Sequence, residues 1–323
     1  MLSPNVDNYL YGRGHLLFQP SGATGLIHLG NVPDLGITVG LEKEAHYSSM
    51  EGTRAKDHEI IKEKSAKSTI SLEEFSAENL NIAWMGNGVV NTTQAAAALD
   101  GQSVTTVADK FVELGKYGVY CTRMSHGAVT DGPFDVGETI TGGTSAKTAK
   151  VAWVGSGFLE LISVSGAFTI GETITGGGSA ATAVVTASEQ VEDVVVTDHA
   201  TVPTVRYVLG SDYSFVKAGG LIRELTGGDI AAHTAFVSAD IPAKTMATVN
   251  ALKSTVVNGR LLFIGNPDDG PKMRVEGWNV NLTITGEAKI ISEGISAIPM
   301  EAEYLNDSAN HPDNPFFKAT TIA

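Results

Sequence analysis

Phe134-Asp-Val-Gly-Glu-Thr-Ile-Thr-Gly-Gly-Thr-Ser-Ala146 recurs as Phe168-Thr-Ile-Gly-Glu-Thr-Ile-Thr-Gly-Gly-Gly-Ser-Ala180, displaced by 34 residues, and the likeness runs on through Thr148-Ala149 and Thr182-Ala183. Each copy reads as a short alternating strand, such as Glu138 to Thr141, then a Gly-Gly turn that tolerates positive φ. A second strand rich in Ala, Val and Thr follows, at Thr148 to Val154 and at Thr182 to Thr186. The connecting Gly157-Phe-Leu-Glu-Leu-Ile-Ser-Val164 also alternates and leads into the second copy. The two copies therefore predict a small all-β module at residues 133–188, between the turn Asp131-Gly132-Pro133 and the acidic Glu189-Gln-Val-Glu-Asp193. A phosphate cradle needs glycines that open a helix, and a calcium-binding repeat needs an Asp in each turn. These glycines open strands and the turns hold Thr and Ser, so the module reads as a duplicated hairpin without chemistry of its own.

Outward from the module, the chain is mostly runs of four to eight residues separated by Gly, Asn and Asp turns. Strands are predicted at His15 to Phe18, Gly36 to Gly40, Thr69 to Leu72, Val104 to Val107, Val194 to Thr197, Val205 to Leu209, Thr245 to Leu252, Arg260 to Gly265 and Trp278 to Thr285. Many short strands predict a mainly β fold, a sandwich or barrel. Ser76-Ala-Glu-Asn-Leu-Asn-Ile-Ala-Trp-Met-Gly86 differs, with an N-capping serine, an acid in the first turn, apolar Leu80, Ala83 and Trp84 on one face and a glycine stop. It predicts one short helix. The Ala-rich stretch Asn91 to Ala98 fits either a helix or a loop.

The 323 residues carry 42% hydrophobic and 18% charged residues, a globular composition long enough for one large domain or two smaller ones. The single cysteine, Cys121, excludes an intrachain disulfide. No run of apolar residues is long enough for a membrane span, and Met1 to Leu10 does not read as an export leader, so a soluble chain is expected. The net charge of −14 argues against a surface that grips nucleic acid.

Catalytic patterns are weak. The histidines, at 15, 28, 46, 58, 126, 199, 233 and 311, show no metal-site spacing, and no nucleophile elbow occurs. Cys121 sits in the strand-like Gly118-Val-Tyr-Cys-Thr122, the setting of a buried structural thiol. Gly265-Asn-Pro-Asp-Asp-Gly270-Pro-Lys272 has the glycine separation of a phosphate loop, but Pro271 replaces the required lysine, and it reads as a hairpin turn. Glu73-Glu74 and Asp268-Asp269 are adjacent acids, which sequence adjacency does not place on opposite sides of a substrate. The sequons at Asn91, Asn281 and Asn306 carry no weight without a secretory signal. No enzyme activity, cofactor or metal is therefore expected.

Leu41 to Lys67 is the unusual segment. It interleaves six acids (Glu42, Glu44, Glu51, Asp57, Glu59, Glu63) with six bases (Lys43, Arg54, Lys56, Lys62, Lys64, Lys67), plus His46, Tyr47 and His58. It fits a solvated loop or an extended hairpin. Mixed charges in a segment this long also suit docking against another copy of the chain, since complementary pairs fix register and like charges penalise slippage.

Several segments, in order, resemble the major tail tube protein family of long-tailed bacteriophages. They are Gly30-Asn-Val-Pro-Asp-Leu-Gly-Ile-Thr-Val39, Glu44-Ala-His-Tyr-Ser-Ser-Met-Glu-Gly-Thr-Arg-Ala-Lys-Asp57, Ile70-Ser-Leu-Glu-Glu-Phe-Ser-Ala-Glu-Asn-Leu80 and Arg206-Tyr-Val-Leu-Gly-Ser-Asp-Tyr213. Toward the end of the sequence, Leu262-Phe-Ile-Gly-Asn-Pro-Asp-Asp-Gly-Pro271, Trp278 to Thr285 and Met300-Glu-Ala-Glu-Tyr-Leu-Asn-Asp307 look like the family's last strands. The resemblance implies a β-sandwich with one helix and a long loop, built from residues 1–132 and 189–323, with 133–188 inserted and projecting from the outer wall. It implies rings of six copies, stacked into a virion tube that is assembled in the host bacterial cytoplasm and through which DNA passes without specific binding. Tape-measure, tail-tip and terminator proteins are the implied partners, with no membrane. The implied contacts between subunits or rings fall on Glu42, Lys43, Glu44, His46, Tyr47, Arg54, Lys56, Asp57, Glu59, Lys62, Glu63 and Lys64. The competing readings are a surface adhesion or carbohydrate-binding β-protein, an unrecognised enzyme, and another virion β-protein such as a terminator or capsid decoration protein.

Overall fold

A computed structural model describes residues 9–10, 12–50, 52–191, 193–268 and 270–322. It is mainly β with one short α-helix and divides into two compact units, Met1–Asn91 with Ala247–Ala323, and Thr92–Met246. In chain order, the first unit opens with β1 (Gly14–Pro20), β2 (Ile27–His28), β3 (Asp34–Tyr47), β4 (Lys56–Leu72), helix α1 (Ala77–Ala83) and β5 (Val89–Gln94). The second holds β6 (Ala97–Thr105), β7 (Phe111–Glu113), β8 (Cys121–His126), β9 (Thr139–Gly142), β10 (Thr148–Gly155), β11 (Phe158–Ile162), β12 (Thr173–Gly176), β13 (Thr182–Val191), β14 (Val195–Thr197), β15 (Tyr213–Val216), β16 (Leu221–Glu224) and β17 (Thr234–Ile241). The chain then returns through β18 (Lys244–Val249), β19 (Asn258–Gly265), β20 (Lys272–Ile284), β21 (Ile298–Tyr304) and β22 (Phe317–Ile322).

The first unit is an eight-stranded sheet in the order β2-β1-β19-β20-β21-β4-β3, with β22 pairing the first half of β20. Alternation gives the sheet its core face. Leu16 and Phe18 of β1, Ile70 and Leu72 of β4, Val280 and Leu282 of β20 and Met300 of β21 are buried together. The predicted helix forms where its sequence signals put it. The Ser76 hydroxyl accepts from the Asn79 amide at 3.1 Å, Glu78 lies in the first turn, and Ile82 and Ala83 are buried in the same core. Asn79 then ties the helix to the sheet side by donating to the carbonyls of Leu29 and Glu74 at 3.0 and 2.9 Å.

The second unit combines a closed barrel, β10-β11-β8-β13-β12-β9, with two three-stranded sheets, β14-β17-β6 and β15-β16-β7. The repeat is visible as an internal two-fold relation within the barrel. Copy one supplies β9, β10 and β11, copy two supplies β12 and β13, and β8 stands where β11 stands in the first half. The register shift between Val151 and Trp153 has its counterpart between Val185 and Ala187, at the 34-residue offset of the sequence repeat. Gly137 and Gly171 have φ of 87° and 88°, so the matched glycines make matched turns that an L side chain disfavours.

The structure redraws three sequence expectations. The barrel is wider than residues 133–188, because β8 precedes that stretch, β13 runs to Val191, and both belong to a compact unit that begins at Thr92. Closure is the reason, since the two repeat copies alone leave an open edge that β8 fills. Val205 to Leu209 is irregular backbone with isolated bridges at Arg206 and Leu209. There Arg206 turns inward to an ion pair and Tyr207 is buried, which a regular strand register does not permit together. The Ala-rich Asn91 to Ala98 contributes to β5 and β6 and is not helical.

A buried ionic cluster joins the barrel to the rest of its unit. Glu160 on β11 is fully buried and accepts from Arg206 Nε and Nη2 at 2.5 and 2.8 Å and from Arg123 Nη2 at 2.6 Å. Arg206 also reaches Asp193 at 3.2 Å, and the Tyr213 hydroxyl donates to Asp193 at 2.7 Å. Burial opposes the charge on Arg206, but the hydrogen bonds and field of Glu160 raise its pKa above the usual value. Beside this cluster Cys121 packs with Ala152, Ile162 and Val195. Burial, and then the charges of Glu160 and Asp193, push its thiol pKa up, so it is an inert core group.

Candidate assembly surface

The segment Leu41 to Lys67, which fits a solvated loop or an extended hairpin by sequence and which the resemblance makes a long loop, is a two-stranded arm. Strands β3 and β4 pair from Asp34 with Ser71 to Tyr47 with Lys56, with register shifts at Glu42/Lys43 and His46/Tyr47, so the ladder runs through the charged residues to a short tip. On the other side of β4, β21 pairs only from Ile298 with Leu72 to Glu303 with Lys67. Beyond that point the two strands pair only with each other among the described residues. The free part of β3, Val39 to Tyr47, is about 30 Å long at ~3.3 Å per residue. With no core to bury against, its sequence lost the period-two signal while keeping its backbone pairing.

Most of the arm's charges are paired within the ribbon, Lys56 with Glu59 along β4 and the others across from β3 to β4. Lys43 meets Glu59 at 2.6 Å, Lys56 bonds the other oxygen of Glu59, Lys62 meets Glu44 at 2.7 Å, and His46 meets Asp57 at 2.6 Å. The hydrogen bonds from Lys43 and then Lys56 hold the Glu59 carboxyl down to about 2. These pairs fix the register of the arm itself, which the sequence alone assigned to contacts with a neighbouring copy. Glu42, Glu63, Lys64 and Arg54 are in no ion pair among the described residues, and Glu42 and Glu63 stand directly opposite each other in the register. Glu51 lies outside the described residues.

Apolar side chains share this exposed ribbon. Val39 is 63% exposed, and Leu41, Tyr47, Ile60 and Ile61 are exposed with it. Two-stranded ribbons are marginal in water by themselves. An arm that leaves its sheet, displays aliphatic groups and keeps four charges outside any ion pair among the described residues has the composition of a docking element.

The sequence reading missed a second exposed feature. In the connection 285–297 between β20 and β21, Ile290 and Ile291 are nearly bare and Ile295 is likewise exposed, although Ala288 packs on the core. Contiguous isoleucines in a polar, glycine-containing loop were the available signal. For other chemistry, no group of three His, Cys, Asp or Glu is placed to hold a metal among the described residues. The expected hairpin turn after Gly265 connects β19 to β20, with Asp269 outside the described residues. No helix among the described residues is long and apolar enough to cross a membrane.

The chain belongs to the family described as Protein of unknown function UCP028589, which it matches over residues 9–131 and 161–317. The match spans both compact units and includes the arm. It is interrupted at 132–160, the stretch that carries β9, β10 and most of β11, so the second copy of the repeat lies inside the match and the first copy outside it. No curated protein matches the chain.

Proposed function

We propose that this chain is a structural subunit that assembles with copies of itself into rings of six, stacked as the tube of a virion tail through which DNA passes. The observation that carries this reading is the arm, a ribbon about 30 Å long that has no partner within its own sheet beyond Lys67. A second copy offers what the ribbon lacks, namely apolar cover and counter-charges for Glu42, Glu63, Lys64 and Arg54. Head-to-tail contacts that close by rotation give rings, and rings that stack give a tube. The ordered resemblance to tail tube proteins agrees with this. A net charge of −14 suits a channel for DNA, because an acidic wall does not exchange counterions with the phosphate backbone and so does not retain it. Tape-measure, tail-tip and terminator proteins follow as partners, and the virion as the location.

Negative-stain electron microscopy of the purified chain across a concentration series tests the proposal. Rings with an open centre, lengthening into tubes as concentration rises, are expected. Single subunits at every concentration, with none added to pre-formed rings, would overturn it.

A further inference from the structure

A cleft of about 330 Å³ lies in the first unit where β1 ends and β19 begins, with no residue of the arm in its wall. Gln19 at the end of β1, Ser21 in the turn that follows and Arg260 on β19 line it. So do Trp278 and Asn279 of β20, with Asp307 and Asn310 of the connection 305–316. Bonds behind the wall hold it in place. The Ser21 amide donates to the Asn258 carbonyl, the Leu305 amide to the Asn279 carbonyl and the Asp307 amide to the Pro315 carbonyl, each at 2.8 Å. The Trp278 indole donates to the Asn314 carbonyl at 2.9 Å and stacks on His311 with ring centroids 3.9 Å apart. Asp307 accepts from His311 and Asn310, both at 2.7 Å, and these bonds hold its carboxyl below the usual range, so it is a charged acceptor. By contrast, the side-chain amide of Asn279 and the Ser21 hydroxyl make no hydrogen bond among the described residues, and Arg260 engages Glu276 through Nη2 alone. The wall is therefore fixed before a ligand arrives, while several of its donors and acceptors are left over.

We propose that this cleft binds a neutral saccharide. Its wall offers amides, a hydroxyl, a guanidinium and a carboxylate, which between them donate and accept in many directions. A sugar ring matches such a wall because each of its hydroxyls both donates and accepts. Charge excludes the simpler ligands. The two charged side chains in the wall, Arg260 and Asp307, have opposite signs, so a phosphate would meet the carboxylate and a cation would meet the guanidinium. An apolar molecule would find only Pro20 and Trp278, whereas sites for such molecules are walled mainly by aliphatic and aromatic groups. The indole adds the apolar surface that the C–H face of a sugar ring can cover. This binding concerns the first unit alone and is separate from the assembly proposed above.

Calorimetric titration of the full chain with glucose, galactose, mannose, N-acetylglucosamine and a disaccharide of each tests the proposal. At least one should bind saturably at millimolar concentration, and neither inorganic phosphate nor magnesium should compete with it. Asn279→Ala removes an amide that has no partner in the fold, and Ser21→Trp sets a ring across the cleft from an exposed turn position. Each should weaken the bound sugar by about tenfold or more while the thermal midpoint stays where it is. The two substitutions lie on different elements, so if one variant fails to fold the other decides. No binding by any of these sugars, competition by phosphate or magnesium, or full affinity in either folded variant would overturn the proposal.

Discussion

The carboxylate of Glu172 accepts the amide and the hydroxyl of Ser145, each at 2.8 Å, and across the same barrel Glu138 accepts the amide and hydroxyl of Ser179 at 3.0 and 2.9 Å. Each acid comes from one repeat copy and caps the Gly-Gly turn of the other. Glu172 also takes the Thr169 and Thr144 amides, and Glu138 takes those of Asp135 and Gly178. The duplicated sequence is thus clasped twice by the same device, and the pairing of β9 with β12 lies between the two clasps.

The clasps make the barrel sensitive to acid. Burial opposes the charge on Glu172, yet the Ser145 and Thr169 amides, the Ser145 hydroxyl and the Thr144 amide outweigh it and hold the carboxyl down to about 2; Glu138 is lowered in the same way. A carboxyl with a folded pKa below its unfolded value of about 4.5 contributes stability that is complete above that value and is lost as pH falls toward about 2. Urea unfolding followed by circular dichroism should show that loss in the native chain between these limits. Glu172→Gln should cost about 1.5–3 kcal/mol at pH 7 and flatten the dependence below pH 4.5. An unchanged acid limb in the variant would show that the clasp does not set it.

The Glu160 cluster should respond asymmetrically. Arg206→Ala leaves a fully buried carboxylate with Arg123 as its remaining ion-pair partner and should destabilise the second unit by about 3–5 kcal/mol. Replacing both Glu160 and Arg206 by Met removes the buried charge together with its counter-charge and should recover most of that loss. Midpoints of denaturant unfolding for the two variants decide the matter. Equal destabilisation by both would mean that the pair acts through packing and not through charge.

The repeat was legible in the sequence, and so were the helix with its Ser76 cap and the strands whose faces are buried, because each declares itself within a few neighbouring residues. The clasps were not, since Glu138 and Ser179 are 41 positions apart and meet only through closure of the barrel. Nor was the role of β8. Cys121-Thr-Arg-Met-Ser-His126 shares no evident likeness with Phe158-Leu-Glu-Leu-Ile162, its counterpart in the other half, so the equivalence exists in strand order alone. The sequence could not choose between a loop and an extended hairpin for the arm, for a physical reason. Alternation reports one buried face, and a ribbon that leaves the core has none, so strands look like a charged loop. Its twelve candidate residues do come together on that arm, but the pairing among them required the register.

Excising residues 133–188 cuts through the barrel and does not detach a projection. β8 would lose β11 and half of its pairing with β13, and Arg206 would lose Glu160. Cys121 would lose Ile162 and Ala152 from its packing. In the intact chain Cys121 should react slowly with a thiol reagent, as its burial and raised pKa dictate. In the excised chain, joined by a short linker, it should react rapidly, and the second unit should unfold at lower urea. A slow thiol and an unchanged midpoint would show that the remaining strands reclose without the module.

Charge reversal separates the arm's own stability from its docking. Glu59 is bonded to both Lys43 and Lys56, so Glu59→Lys removes two pairs inside the ribbon and should loosen the arm in the isolated subunit, seen as faster amide exchange along β3 and β4. Glu42 and Glu63 face each other across the ribbon and take part in no ion pair among the described residues. Reversing both to Lys keeps a like-charged pair in the same register, so the subunit's thermal midpoint and its amide exchange should hardly change. Any surface that meets these acids in a neighbouring copy would instead face a reversal of sign, which penalises the contact directly. Tubes of the Glu42→Lys, Glu63→Lys variant should therefore be short or absent at concentrations where the native chain forms long ones, and raised salt should narrow the difference by screening. Native tube lengths in this variant would place the arm's docking on its apolar residues and its tip instead.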